Sequence, residues 1–237
     1  MDDLFYVNKC SSTNDEISNV LLYHDLDFTA LYTFCQTKGR GQYGNRWISS
    51  SEKNLAYTLA VKNSAFDNSD FLFNYYTAIC VQTYVSQLTG KEVQIKWPND
   101  IILNKKKIAG ILIEKKNINQ EVYFITGIGI NILQENFDEI SNAGSLLTQT
   151  GQRFSMKIFA ENFHSFFVEK LKNIPSEDEI MSHLNEHLFR KDKVSVFEID
   201  GLKQNGIIRN AEKNGKICIE LETGVQSFYL KEIKLLY

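Results

Sequence analysis

Phe28-Thr29-Ala30-Leu31-Tyr32-Thr33-Phe34 leads directly into Cys35-Gln36-Thr37-Lys38-Gly39-Arg40-Gly41-Gln42-Tyr43-Gly44-Asn45-Arg46-Trp47. The first segment is apolar and β-branched and reads as a buried strand. Ser49-Ser50-Ser51 then turns the chain into Asn54–Val61, a second strand. The loop between them is therefore held at both ends. Gly39, Gly41 and Gly44 let its backbone approach a ligand closely. Its free N–H groups, flanked by Lys38, Arg40 and Arg46, suit an anion. Trp47 offers a flat apolar face. No Gly-Lys-Ser/Thr follows, which excludes a P-loop, and neither the glycine spacing nor a following helix matches a dinucleotide fingerprint. On these residues alone, a solvated surface loop is the plain alternative.

Outward from this loop, Leu4–Asn8 reads as a short strand. Ser11-Ser12-Thr13-Asn14-Asp15-Glu16 starts a helix, with Ser12 or Thr13 as cap and Ile17, Val20 and Leu21 on its apolar face. Asp67–Asp70 opens a helix to about Leu88 that buries Phe71, Phe73, Tyr76, Ile79 and Val85 and stops at Thr89-Gly90. Val93–Trp97 is a strand and Pro98-Asn99-Asp100 a turn. Ile101–Leu103 and Ile108–Glu114 form a hairpin through Asn104–Lys107. Gly127-Ile128-Gly129-Ile130-Asn131 is an apolar strand whose glycines mark a close approach. Helical segments follow at Ser145-Leu146, at Met156–Lys172 on Ile158, Phe159, Phe163, Phe166, Phe167 and Leu171, and at 177–188. From Phe189 the period changes to short strands, at 193–199, 206–209, 216–221 and 225–230. Their turns are expected at Asp200-Gly201, Asn205-Gly206, Asn214-Gly215 and Thr223-Gly224. That tail has the size of a small SH3-like barrel, so a boundary is expected near 187–189.

With 237 residues the chain has room for one large domain and a small one. Hydrophobic residues at 43% and charged residues at 23% are ordinary for a globular protein. A formal net charge of -3 gives no basic footprint for nucleic acid. No apolar run spans a bilayer, and the N-terminus has no export signal, so a cytoplasmic location is expected. Cys10, Cys35, Cys80 and Cys218 stand apart and read as reduced, mostly buried thiols. His183-Leu184-Asn185-Glu186-His187 spells H-x-x-E-H. With no third ligand on a following helix it is read as a helix end, and no metal residues are assigned.

Four motifs stand in order: Ser12-Thr13-Asn14; Gly39–Trp47; Lys96-Trp97-Pro98-Asn99-Asp100 with Lys107-Ile108-Ala109-Gly110-Ile111-Leu112-Ile113-Glu114; and Gly127–Asn131. Together they closely resemble the biotin protein ligases. The resemblance implies an α+β fold: a mixed β-sheet catalytic domain of the class II aminoacyl-tRNA synthetase/biotin protein ligase type at 1–187, and a small SH3-like β-barrel at 188–237. It implies activation of biotin by ATP, with Mg²⁺, to biotinyl-5′-adenylate. Biotin then passes to a lysine of a biotin carboxyl carrier domain of a biotin-dependent carboxylase. A first strand at Leu4 leads us to expect no DNA-binding module ahead of it and no specific DNA binding. No membrane partner is expected, and a homodimer is an admissible assembly.

By the same resemblance, Ser12, Thr13, Asn14 and Gln36 bind biotin, helped by Gly39 and Arg40. Gly110, Ile111, Leu112, Gly127 and Gly129 flank its rings. Lys107 contacts the biotin carboxylate and α-phosphate and, with Arg40, is catalytic. Arg40, Gln42, Arg46, Trp47, Lys96, Asn99, Lys107 and Asn131 lie on the ATP or adenylate side. The loop departs from the family's richer Gly-Arg-Gly-Arg-Arg-Gly pattern: Gln42 and Tyr43 stand where cations often do, and Asn45 replaces another. The nearest alternative of the same fold is a lipoate protein ligase or octanoyltransferase. A repressor or a non-catalytic binding module leaves the four motifs unexplained.

Overall fold

The computed structural model describes residues 3–24, 27–63, 69–137 and 140–237. In chain order the elements are β1 (Asp3–Tyr6), α1 (Thr13–Leu21), β2 (Phe28–Thr33), β3 (Gly39–Arg40), β4 (Arg46–Trp47), β5 (Asn54–Lys62), α2 (Asp70–Thr89), β6 (Val93–Lys96), β7 (Asp100–Leu103), β8 (Lys106–Ile118) and β9 (Glu121–Asn131). They continue with α3 (Leu146–Thr150), α4 (Met156–Lys172), α5 (Glu177–Glu186), β10 (Val194–Ile199), β11 (Leu202–Ala211), β12 (Ile217–Leu221), β13 (Gly224–Phe228) and β14 (Ile233–Leu236). The chain forms two compact units, Met1–Asp67 with Leu103–Ile174 and Asn68–Ile102 with Pro175–Tyr237.

The first unit is built on five strands in the order β1-β2-β5-β9-β8. β1 pairs with β2 in parallel, and the remaining neighbours are antiparallel, which makes the sheet mixed. Side chains alternate between faces along a strand, and β5 shows what each face does. Ala60 belongs to a core with Leu31 and Ile125 and with Ile17 and Leu21 of α1. Tyr57, one parity away, packs its ring against Phe163 of α4 at 5.2 Å and Phe167 at 6.4 Å. The Tyr57 hydroxyl and His164 Nδ1 meet at 2.9 Å, which satisfies two buried polar groups. In α4, Phe159, Phe163, Phe167 and Leu171 are buried at helical spacing, whereas Ile158 is 57% exposed. The expected burial of Ile158 fails because it stands one position, about 100°, away from that stripe.

In the second unit α2 begins at Asp70, and its Ser69 cap accepts a hydrogen bond from Leu72 N–H. Asp67, the earlier start read from sequence, lies outside the described residues. Gly90 ends the helix in the left-handed conformation at φ 64°. Phe71 is 46% exposed rather than buried, yet its ring fills the space beside Gly215, where a β-carbon would collide with it. α5 closes at Glu186, two residues before the expected end, with His187 as its C-cap. The His183 and His187 rings stack at 4.4 Å. His183 Nε2 meets Gln82 Oε1 and His187 Nδ1 meets the His183 carbonyl.

The last five strands make an antiparallel sheet in the order β13-β12-β11-β10-β14, consistent with the SH3-like module. Two readings of this sheet are corrected. Asn205-Gly206 is no turn but lies inside β11, where Gly206 pairs with Ser195 and Leu221. It is glycine because a β-carbon would press on Ile219 and Leu221 at 2.9 Å. β14, unmarked in the sequence reading, pairs with β10. Among the described residues none of the four cysteines forms a disulfide; Cys80 and Cys218 are buried and Cys10 and Cys35 only half-buried.

Phe167→Ala removes a ring with no exposed surface from the α4–β5 core. It is expected to cost about 3–5 kcal/mol in urea unfolding, with less than half that loss for the partly exposed Phe166→Ala.

Candidate ligand site

The α1-facing side of the first unit's sheet carries an unusual patch. Gly129 of β9 lies opposite Ala56 on β5 and Gly110 on β8. Gly127 lies opposite Thr58 and Leu112. Glycine at these same-face positions leaves the sheet bare, and other groups fill the space. A β-carbon at Gly127 would overlap the Asn14 carboxamide. One at Gly129 would come within 2.6 Å of the Trp47 indole nitrogen, and one at Gly110 would meet Trp47 Cζ3 at 3.0 Å and Lys107 Nζ at 3.2 Å. What approaches these glycines is neither a ligand nor another backbone but the side chains of Asn14, Trp47 and Lys107.

At the N-terminus of α1, Ser12, Thr13 and Asn14 are buried. Ser12 occupies the cap position, yet its side chain makes no cap hydrogen bond. The cluster is organised by donor arithmetic instead. Asn14 Oδ1 accepts only, so Thr58 Oγ1 donates to it at 2.7 Å. Thr58 Oγ1 also stands 2.8 Å from Thr13 Oγ1, and the Thr13 hydroxyl donates to Gln36 Oε1 at 3.2 Å. Asn14 Nδ2 passes the direction on to Glu114 Oε2 at 2.9 Å, with a longer bond to the Leu112 carbonyl. Gln36 Oε1 takes the Thr13 backbone N–H at 2.9 Å. Such a buried network polarises its bonds and restrains its members. Thr58 and Glu114 were not singled out as ligand-site residues from sequence; Thr58 sits inside an apolar strand, where threonine is unremarkable.

Within the loop, β3 and β4 form a two-rung ribbon, Gly39 opposite Trp47 and Arg40 opposite Arg46. Gly39 is required there, since a β-carbon would strike the Trp47 carbonyl at 2.5 Å and Gln36 Nε2 at 2.8 Å. Arg40 Nη2 reaches Asp15 Oδ1 at 2.8 Å and Glu114 Oε2 at 3.0 Å. Lys107 Nζ lies 5.6 Å over the Trp47 ring. Among the described residues the buried Trp47 indole N–H finds no hydrogen-bond partner, a penalty of about 1–3 kcal/mol. A cleft of about 920 Å³ opens beside these groups, lined among others by Asp15, Gln36, Arg40, Trp47, Leu112 and Glu114.

Several proposed site residues stand differently. Ile111 pairs with Ile128, which pairs with Tyr57, so strand alternation turns its side chain to the α4-facing side, away from Gly110 and Leu112. Asn131 donates to the Gly144 carbonyl at 3.0 Å, while its buried Oδ1 finds no partner among the described residues. Lys107 is fixed through its backbone, N–H to the Asn142 carbonyl and carbonyl from Gly144 N–H. Gln42 and Arg46 border the loop turn, in which Tyr43 adopts φ 56°. Lys96 and Asn99 belong to the second unit, where Lys96 Nζ pairs with Asp100 at 3.5 Å. Among the described residues no cluster of three His, Cys, Asp or Glu side chains could hold a metal ion. No helix among them is long and apolar enough to cross a membrane.

The fold has known counterparts. Biotin protein ligase from Aquifex aeolicus, solved in complex with biotin and ATP, aligns with a TM-score of 0.82 over 100% of this chain and 99% of that one, at 24% identity. The chain therefore has the biotin protein ligase fold. Residues 24–131 match the biotin/lipoate A/B protein ligase family. The bifunctional ligase/repressor BirA of Bacillus subtilis strain 168 is 28% identical over 156 residues, 65% of this chain and 48% of that protein. A biotin–[acetyl-CoA-carboxylase] ligase of Paracoccus denitrificans is 31% identical over 100 residues, 41% of each chain. The chain thus spans about half the length of these curated relatives or less.

Gly127→Ala drives a methyl group into the Asn14 carboxamide and breaks the donor chain, so thermal denaturation should register a loss of about 1–3 kcal/mol. Gly41→Ala is the contrast. Its φ is -116° and the nearest atom to a new β-carbon is 3.5 Å away, so the change should stay within about 0.5 kcal/mol.

Proposed function

We propose that the protein activates biotin with ATP to biotinyl-5′-adenylate and transfers the biotinyl group to a lysine of a biotin carboxyl carrier domain. The observation that carries this reading is the juxtaposition, on one sheet face, of a buried donor–acceptor chain, a glycine-floored patch and the Lys107 ammonium beside Gly110. A fused-ring urea needs paired donors and acceptors, and Thr13, Asn14, Gln36 and Thr58 supply them. Gly110, Gly127 and Gly129 let Asn14, Trp47 and Lys107 lie close on the sheet, where they border its flat body. The relatives named for biotin ligation and the Aquifex enzyme with biotin and ATP support the same reading.

In the first step a carboxylate oxygen attacks the α-phosphorus of ATP and pyrophosphate leaves. Two anions must meet, so cations near the junction lower the barrier. Lys107 and the loop arginines Arg40 and Arg46 take this role. Lys96 and Asn99 remain nucleotide-side candidates by resemblance. Mg²⁺ would screen the triphosphate; without a three-ligand cluster among the described residues, no protein ligand is assigned to it and no step is routed through it. In the second step the carrier lysine amine attacks the acyl carbon of the mixed anhydride and AMP departs. A cytoplasmic location fits this partner.

Incubation with ATP, Mg²⁺ and either biotin or lipoate, followed by mass spectrometry, should reveal biotinyl-adenylate. Lipoyl-adenylate alone would overturn the reading in favour of a lipoate ligase. Lys107→Ala should slow adenylate formation by about 10²–10³. Lys105→Asn should change it little, because Lys105 is exposed and its φ of 64° is one asparagine tolerates. Equal losses at both positions would reduce the lysine turn to a diffuse charge.

A further inference from the structure

We infer that Glu114 is a positioning residue that ties the buried donor chain to the loop arginine and aims Arg40 at the reacting anions. The inference rests on the proposed activity. Glu114 Oε2 is a shared terminus: it accepts from Asn14 Nδ2 at 2.9 Å and from Arg40 Nη2 at 3.0 Å. Whatever shifts Asn14 therefore shifts the anchor of Arg40.

Arg40 needs such an anchor. It lies directly opposite Arg46 on the β3–β4 ribbon, and like charges in that relation repel. Two carboxylates offset this. Asp15 is the weaker of them, with a side chain 51% exposed against 30% for Glu114. Lys116 Nζ also draws on Asp15 at 3.7 Å while bonding the Asn14 carbonyl at 2.7 Å. Glu114 projects from a paired strand of the sheet, so it is the rigid partner and the loop is the one that conforms. Both carboxylates engage Nη2. The Nε and Nη1 donors are left for a phosphate or carboxylate. The arginine is thereby pre-oriented before any anion arrives, and less ordering remains to be done at binding.

Glu114→Gln separates the two functions of this side chain. The amide oxygen still accepts from Asn14, so the buried chain survives and the protein folds. The sheet-borne charge on Arg40 is gone, and only the more exposed Asp15 carboxylate remains. Adenylate formation should slow by about tenfold, while biotin affinity in the absence of ATP changes less than about twofold, because only a charge-assisted bond is lost. In an Arg40→Ala background the same substitution should change the rate less than about twofold, the expected non-additivity of residues that act through one another. Trypsin should also cut the resting Gln variant several-fold faster after Lys38, Arg40 and Arg46. Equal rate losses in both backgrounds, or an unchanged cleavage rate, would overturn the assignment. If the wild-type protein forms no biotinyl-adenylate at all, the proposed function fails, and loop cleavage still decides whether Glu114 holds Arg40.

Discussion

A strand presents a side chain to each face at every second residue, so a flat bare patch on a sheet requires glycine at neighbouring same-face positions. Gly110, Gly127 and Gly129 meet this requirement on adjacent strands, and the rest of the site depends on it. Asn14 can bury its amide only because Gly127 has no β-carbon. Trp47 and Lys107 reach the sheet only because Gly129 and Gly110 have none. Glycine at these positions weakens strand propensity. The long ladder between β8 and β9, ten paired positions from Ala109 to Ile118, holds the two strands in register around it.

The patch gains chemical meaning from what surrounds it. On one side the Thr13–Thr58–Asn14 chain offers fixed donors and acceptors. On another the β3–β4 ribbon brings two arginines side by side, an arrangement that repels itself unless anions are near. Glu114 stands where these regions meet. The first unit therefore sets neutral donors and acceptors beside paired positive charges, which is what the proposed function requires. That combination suits a molecule with a fused-ring urea at one end and a carboxylate at the other.

Much of this was legible in the sequence because the signals were local. Glycine spacing in Gly127-Ile128-Gly129 announced a close approach, Gly90 announced a helix end, and the phenylalanine stripe of α4 announced its buried face. What escaped depended on partners distant in sequence. Thr58 looks like any β-branched strand residue until Asn14, 44 positions away, comes to rest against it. Gly206 reads as a turn residue after Asn205 until the crowding by Ile219 and Leu221 is seen. Ile111 sits in a motif with Gly110 and Leu112, but a one-residue offset in a strand means the opposite face. β14 carries no turn signal that separates it from its neighbour, and only its pairing with β10 defines it.

The central claim is that the buried hydrogen-bond network beside Gly127 recognises the ligand's polar ring, and Thr58, which bonds Asn14 and Thr13, tests it. Thr58→Val keeps the shape and strand propensity but removes the hydroxyl that orders Thr13 and Asn14. Titration calorimetry with biotin should show affinity falling at least about tenfold, the equivalent of one lost hydrogen bond in a buried network. Unchanged affinity in a folded Thr58→Val protein would contradict the account and place biotin recognition elsewhere.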